Sequence, residues 1–570
     1  MNEALIEVKF PKLNHYWMDA GLLGLYEIAK KEHHEAMGIE IQLKDDGVLF
    51  KGTESNLDSF FNKTYDSLLA EYYNTSTENQ KKENSGFYYD SEKDNFVRFP
   101  KVKSMGIAGL IFNKPPRKTK NEIKYVTKEF FESGKKVKRK VLPDDYAHLQ
   151  DRFDDFLTNN KFKIGPSISS LLKDGRNAYQ PKVDINVKPG KEKGNCFMCG
   201  EASHSLSEIG GTVYPMISGS SGALSFNSIA SKPEKVCWKC DFISKFVPVN
   251  GFYSMNGGDN HIYLPYSISL EKMDEVYESF QEIKNDDPKL WTNFDNRLGK
   301  FFSKQFEQFF AFLYTLYKIK LSKDTSKDDE SELDFDKLYG ITLSNAPLEF
   351  FVVHTEAFGK THMGKMIWPF QDSVYLFRLL GHIEKNEINM KEVMRLLIDF
   401  DQKQDNRTIV RNRICERILK KQSVVGLIEQ HVFRINKSKP QNIKPLNDFV
   451  IIYEKILKDG GTGMEQATID TAVSLGKTIG RSISPSGRKG KGDLFKLRKA
   501  RKPEDFLNEI NRIQMKYDTL VTADLYNKGQ DFVDNFTEFK HFCMIAALNT
   551  FNAGNRQNQT TEGNTKEATL

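Results

Sequence analysis

Two short cysteine pairs constrain this chain more than anything else in it. They are Cys196-Phe197-Met198-Cys199 and Cys237-Trp238-Lys239-Cys240, and they hold four of its six cysteines. A C-x-x-C turn brings two thiolates within reach of one ion, and a second turn completes a tetrahedral four-cysteine shell of the kind Zn2+ occupies. Gly200 directly follows the first pair, where a knuckle turn is easiest without a Cβ. The 37 residues between the pairs exceed the roughly 15–20 of an ordinary ribbon. The pattern therefore predicts a zinc ribbon over residues 190–245 that carries an insertion. A dithiol redox site needs one pair beside a βαβ unit, not two matched pairs. Four protein ligands leave no open position, so the expected Zn2+ is structural. His204 could replace one ligand, although a lone loop histidine is more often solvated.

The chain has 570 residues, 39% of them hydrophobic, with 42 Phe. That is enough for several domains and a large buried core. No apolar run reaches the about 18 residues of a membrane span, so no membrane partner is expected. The opening Met1-Asn2-Glu3-Ala4 lacks the basic-then-apolar order of a secretion signal. Cys415 and Cys543 have no partner nearby in sequence, and the combination points to the reducing cytoplasm. A net charge of +6 conceals a segregation. Lys114 to Lys140 carries eleven basic residues against three acidic ones, and Arg481 to Lys502 nine against one. Each segment is net +8, which leaves the rest of the chain near −10. Positive strips on an otherwise acidic chain suit a polyanion groove, where each phosphate contact releases a counterion. Solvated surface loops are the plain alternative.

The fold class expected is α+β: a mixed α/β N-terminal region with an inserted four-cysteine zinc ribbon, then a mainly α-helical region ending in a small helical bundle. Leu5 to Phe10 and Ile39 to Leu43 alternate as half-buried strands, and Asp19 to Ala36 reads as a helix between them. From residue 268 the period turns helical, with Phe306, Phe309, Phe310, Leu313 and Leu316 on one stripe. The acidic stretch Ser322 to Asp336 reads as a loop. Gly487 to Gly492 reads as a flexible basic loop. Pro503-Glu504-Asp505 reads as a helix start, followed by the stripes Phe506, Ile510, Ile513, Tyr517 and Phe532, Phe536, Phe539, Cys543. With a helix from Gln466 to Ile479 these make the bundle. The boundaries expected are 1–267, 268–460, 464–552 and a disordered tail 553–570.

Enzyme motifs come close and fail. Gly359-Lys360-Thr361-His362-Met363-Gly364-Lys365 resembles a phosphate loop, but Met366 stands where a magnesium-binding hydroxyl belongs. Gly257-Gly258-Asp259-Asn260 reads as a hairpin turn. A palm-type two-metal site needs more than the one acid there. The expectation is a protein without catalysis. The alternative is a zinc-ribbon enzyme with a degenerate palm-like nucleotidyl transferase or nuclease site near Asp259.

The paired cysteines around a long insert, the run Trp17-Met18-Asp19-Ala20-Gly21-Leu22-Leu23-Gly24-Leu25, and the basic, helix-rich C-terminus together resemble the C-x-x-C/C-x-x-C family of large subunits from type I-B CRISPR Cascade complexes. The likeness extends over most of the length. It implies a non-catalytic subunit of an RNA-guided antiviral DNA surveillance complex in the cytoplasm. Such a subunit recognises the protospacer-adjacent motif (PAM), promotes R-loop opening beside the 5′ handle of the CRISPR RNA, and docks a nuclease-helicase. In such systems guide pairing reads the sequence while the protein reads the adjacent motif. The partners implied are CRISPR RNA, double-stranded target DNA, the Cascade backbone and handle-binding subunits, a small subunit and the nuclease-helicase.

Carried onto this sequence, the resemblance makes Cys196, Cys199, Cys237 and Cys240 the ligands of a structural zinc. The Gly/Ser-rich stretch Ile217 to Ser228, which lies between the cysteine pairs, becomes the motif reader, through Ser218, Ser220, Ser221, Asn227 and Ser228, with Asn227 as a base-edge partner. Arg117, Lys118, Lys120, Lys136, Lys138 and Arg139 are expected to track phosphates. Arg488, Lys489, Lys491, Lys496 and Arg498 are expected to line the path of a strand. Met464 is the candidate internal start of a separately translated small subunit of 107 residues.

Overall fold

The structure is a computed structural model that describes residues 4–73, 79, 82–100, 106–111, 122–132, 134–164, 170–174, 183–216, 235–256, 259–274, 298–299, 302–324, 349–358, 361–436, 441–458, 464–521 and 524–567. The chain divides into two compact units, residues 1–280 with 345–369 and residues 281–344 with 370–570.

The first unit begins with β1 (Leu5–Pro11), α1 (Tyr16–Lys31), β2 (Glu40–Lys44), β3 (Gly47–Thr53) and α2 (Glu54–Leu68). Both expected strands form, β1 and β2 flanking β3 in an antiparallel sheet; β1 alternates as read, with Val8 and Phe10 inward, while Ile41, Gln42 and Leu43 of β2 are all half-buried. The helix starts earlier than expected, at Tyr16, because the His15 imidazole accepts from the Trp17 and Met18 amides. It stops at Lys31, before the His33-His34 pair. Next come β4 (Asn84–Asp90), β5 (Asn95–Pro100), α3 (Gly106–Ile111), β6 (Glu122–Lys124), β7 (Val126–Glu132), β8 (Lys135–Val141), α4 (Gln150–Asn159) and β9 (Ser170–Lys173). Strands β5-β4-β9-β6 form one sheet, and α4 seals it by packing Phe153 and Phe156 on Phe87 and Phe96. Among the described residues, strands β7 and β8 pair only with each other.

The cysteine segments contribute β10 (Gly194–Asn195), β11 (Ala202–Ser203), β12 (Leu206–Glu208), β13 (Lys235–Cys237), α5 (Trp238–Ser244) and α6 (Val247–Asn250). A four-stranded sheet in the order β14 (Phe252–Asn256), β15 (Asp259–Tyr266), β16 (Glu349–Phe358), β17 (Thr361–Phe370) completes the unit. This corrects one expected boundary. Residues 349–369 fall within the span expected to be helical, but they return to the N-terminal unit because β16 pairs with β15 from Glu349 to Glu356. Of the phosphate-loop lookalike, residues 361–365 lie on strand β17 and Gly359 and Lys360 lie outside the described residues; its Lys365 pairs with Glu356 at 2.6 Å.

The second unit is helical throughout its described residues, as expected. Its helices are α7 (Gln305–Asp324), α8 (Ser373–Lys385), α9 (Met390–Leu396), α10 (Ile409–Leu419), α11 (Val425–Ile435), α12 (Lys444–Lys458), α13 (Gln466–Ile483), α14 (Gly487–Lys499), α15 (Pro503–Tyr517), α16 (Asp524–Asn527), α17 (Gly529–Asp534) and α18 (Phe536–Glu567). Helix α7 is pinned to α10 by a fully buried pair, Glu307 with Arg411 at 2.7 Å. The same Glu307 accepts the Ser303 and Lys304 amides, so neither partner is left unsatisfied. The bundle does not stand apart from the helices before it: Lys458 pairs with Glu538, and Asn552 bonds Asn436 and Gln441. Met464, the candidate start, is only 1% exposed. Helix α18 continues to Glu567, past the Ala553 boundary set for a disordered tail. Most of the acidic stretch from Ser322 lies outside the described residues.

Candidate metal centre

The two cysteine pairs form one site. The first knuckle is turned by the Gly200 amide donating to the Cys196 carbonyl at 2.9 Å, and Gly200 adopts φ +75°, a left-handed value that a side chain would oppose. The Cys196 amide closes back on Glu201 O, and the Phe197 amide reaches Lys235 O, tying the first knuckle to β13. In the second knuckle Cys237 caps α5, its sulfur accepting from the Cys240 amide. The Cys237 amide in turn donates to Cys196 Sγ at 3.2 Å.

All four sulfurs lie within 4.8 Å of one another, and Cys199 Sγ to Cys237 Sγ is 3.9 Å. A tetrahedral shell with metal–sulfur bonds of about 2.3 Å has edges of about 3.8 Å, so the donor set fits a four-coordinate ion of that size. The separation is far beyond a disulfide bond. Hydrogen bonds from Cys199, Cys237 and Cys240 pull the Cys196 thiol down, while Cys240, crowded first by Cys196, is pushed up. Left to themselves the four sulfurs cannot all be thiolates; a cation among them allows it. Four buried or half-buried sulfurs of this kind can bind a metal ion. Among the described residues no other group brings three or more metal-ligating side chains together. His204 is not a ligand, since its Nε2 meets Asn186 O at 3.2 Å.

The ribbon is welded into the core of its unit, more deeply than an inserted module requires. Trp238 and Phe242 on α5 enter an aromatic cluster with Phe10 and Phe61. Helix α1 presses on α5 and α6 through Gly21 and Gly24, where an added Cβ would overlap Ile243 O and Phe246 O. Trp17 Nε1 donates to Val213 O at 3.2 Å, and the Tyr16 and Tyr214 hydroxyls meet at 2.6 Å. Lys245, buried beside them, is satisfied by Asp241 at 2.5 Å and Thr212 O at 2.6 Å. The run Trp17–Leu25 and the cysteine pairs are thus parts of one packed body.

The other expected site residues divide three ways. Ser218, Ser220, Ser221, Asn227, Ser228, Arg117, Lys118 and Lys120 lie outside the described residues, as does the side chain of Arg488. Lys136, Lys138 and Arg139 stand together on exposed β8. The second basic segment differs from its expected form. It is the first turns of a helix, not a flexible loop, because Gly490 lets α14 close against Ile483. Two of its cations also serve packing. Arg498 grips buried Glu429 through two hydrogen bonds, 2.5 and 3.0 Å, with its guanidinium 4.5 Å from the Phe433 ring centre. Lys491 Nζ donates to Asn436 O at 2.7 Å. Lys489 and Lys496 remain exposed.

Near Asp259 the sheet supplies what no local motif could reveal. Asp259 lies directly across from Glu356, and its Oδ1 is 3.5 Å from His354 Nε2. Glu356 is 97 positions away, so only strand pairing identifies it. No protein-family model matches the chain, and no curated protein matches it. No helix among the described residues is long and apolar enough to cross a membrane.

Proposed function

We propose that the chain is the non-catalytic large subunit of an RNA-guided DNA surveillance complex of the type I-B Cascade kind. In this reading it recognises the protospacer-adjacent motif, promotes opening of the target duplex beside the 5′ handle of the CRISPR RNA, and docks a nuclease-helicase. The observation that carries the reading is the joint packing of α1 and the cysteine centre. Two of the three sequence features on which the resemblance rests, the Trp17–Leu25 run and the cysteine pairs, are far apart in sequence yet meet through Gly21, Gly24, Trp17 and the ribbon helix. Zn2+ is the metal of choice for a closed shell of four cysteines with no open position, and its role is to hold the platform. The exposed cations Lys136, Lys138 and Arg139 supply phosphate contacts in the N-terminal unit, and Lys489 and Lys496 do so in the helical unit. The partners follow: CRISPR RNA, target DNA, backbone and handle-binding subunits, and a small subunit for which Met464 is the candidate start.

The test is purification of the tagged protein from its host, sequencing of bound RNA and weighing of every co-purifying chain. Short RNAs sharing a 5′ handle, together with repeated backbone subunits, support the reading. A chain that emerges without RNA or partners overturns it.

A further inference from the structure

The β7–β8 hairpin is largely exposed, with five of the seven β8 residues open to solvent and Val126, Phe130 and Phe131 of β7 exposed. Its register puts Val126/Val141, Lys128/Arg139 and Phe130/Val137 on one face. Thr127/Lys140, Glu129/Lys138 and Phe131/Lys136 lie on the other. The consecutive phenylalanines therefore do different things. Phe130 lies across from Val137 and is 38% exposed, while Phe131, one pair from the turn, is 75% exposed. Beside it Lys136 Nζ stands 5.6 Å from the ring centre. Residues 126–141 carry six basic side chains against two acidic, and Glu129 is shared by Lys136 and Lys138 at 3.6 and 3.5 Å. Among the described residues no third strand joins the pair. Its base is firmly held: Tyr125 stacks on Phe153 with centroids 5.9 Å apart, and the Leu142 amide donates to Gln150 Oε1 at 2.7 Å. At ~3.3 Å per residue, seven residues per strand project an arm roughly 23 Å long.

We infer that this hairpin is a binding arm for an unpaired stretch of DNA, with a base stacked on Phe131 and the adjoining phosphates held by Lys136, Lys138 and Lys140. The inference rests on the nucleic-acid reading above and adds the strand and the residue that grips it. An exposed ring beside exposed cations is the combination that engages single strands without regard to sequence, because every base has a π-face. A paired base keeps its faces in the stack, so the ring selects unpaired substrate. The choice of DNA follows from the proposed function, in which a DNA duplex is opened and an unpaired strand exposed; the ring and the lysines do not themselves tell a ribose 2′-hydroxyl from its absence. Ring and charge make separable contributions, one insensitive to salt and the other governed by counterion release.

The experiment measures binding of the full chain to labelled oligonucleotides (single-stranded DNA, single-stranded RNA and duplex DNA) across a salt series. Phe131 and the lysines are exposed, so Phe131→Ala, Phe131→Trp and Lys136→Gln/Lys138→Gln/Lys140→Gln leave the core untouched. We expect Phe131→Ala to weaken single-stranded DNA binding about tenfold with an unchanged salt slope, and Phe131→Trp to restore it. The triple lysine variant should lower the slope by about 2. Wild-type affinity in Phe131→Ala beside a defective lysine variant overturns the stacking assignment and leaves the nucleic-acid reading intact. Tighter binding of RNA or duplex overturns the choice of strand. No binding of any nucleic acid by the wild-type chain overturns both.

Discussion

Gly24 of α1 lies against Phe246 of the segment that follows the second cysteine pair, so close that a Cβ would overlap the Phe246 carbonyl oxygen and stand 3.0 Å from Val249 Cβ. Neither backbone can retreat easily, since α5 is held from the other side by Trp238 in the aromatic cluster. Alanine is the better helix former by about 1 kcal/mol, yet overpacking a tight core costs ~1–3 kcal/mol. Gly24→Ala and Gly21→Ala are therefore expected to destabilise the N-terminal unit, read as a lower urea midpoint. An unchanged or raised midpoint means the two helices are free to separate.

The metal centre makes a sharper prediction. The purified chain should carry one tightly bound ion, zinc on our reading, released by a chelator only as the unit unfolds, because the binding energy of a closed four-cysteine site is folding energy. Cys196→Ser or Cys240→Ser should abolish retention. Cys415→Ser and Cys543→Ser should retain it in full, since both thiols are buried elsewhere. Elemental analysis of the variants decides. Equal loss from all four variants means that metal content is tracking general misfolding.

Much of this site was legible in the sequence, and the reason is local. A C-x-x-C turn is four residues long, and Gly200 and the cap at Cys237 act within the same few positions. The strand β1, and the stripes on α15, α17 and α18, were legible for the same reason: period and burial agree. What was hidden depended on distant pairing. Residues 349–369 return to the N-terminal sheet through hydrogen bonds to β15, and nothing in their composition announces it. Arg498 counted toward a basic strip until Glu429, 69 positions earlier, was brought beneath it. Charge counting cannot separate a cation that faces solvent from one that satisfies a buried acid.

That distinction is testable in the helical unit. Arg498→Gln leaves Glu429 buried without its main partner, which costs ~3 kcal/mol. Lys489→Gln and Lys496→Gln, at exposed positions, should change stability by no more than ~0.5 kcal/mol. In a salt-dependent DNA-binding assay the order should reverse, with the two lysines mattering. If Arg498→Gln proves as stable as wild type, the Glu429 pair is not a packing device.

Acid sensitivity should trace to His261. Its ring stacks on His354 with centroids 4.5 Å apart, it is 1% exposed, and neither ring nitrogen has a hydrogen-bond partner. Burial, then the neighbouring His354, pushes its pKa down to about 3. The unfolded chain, near 6.5 at this group, takes up the proton first. Stability from the neutral ring is therefore complete above about 6.5 and is lost as pH falls toward 3, by up to about 5 kcal/mol. Glu27 acts with the opposite sign. Burial, then the neighbouring Asp274 carboxyl, raises it to about 7, so its contribution is complete below about 4.5 and is lost as pH rises through 7. His261→Phe, which keeps the stack, should flatten the acid limb of a stability-against-pH curve and leave the neutral-to-alkaline limb alone. Glu27→Gln should do the reverse. A His261→Phe protein that loses stability below pH 6.5 as steeply as wild type places the acid-sensitive group elsewhere.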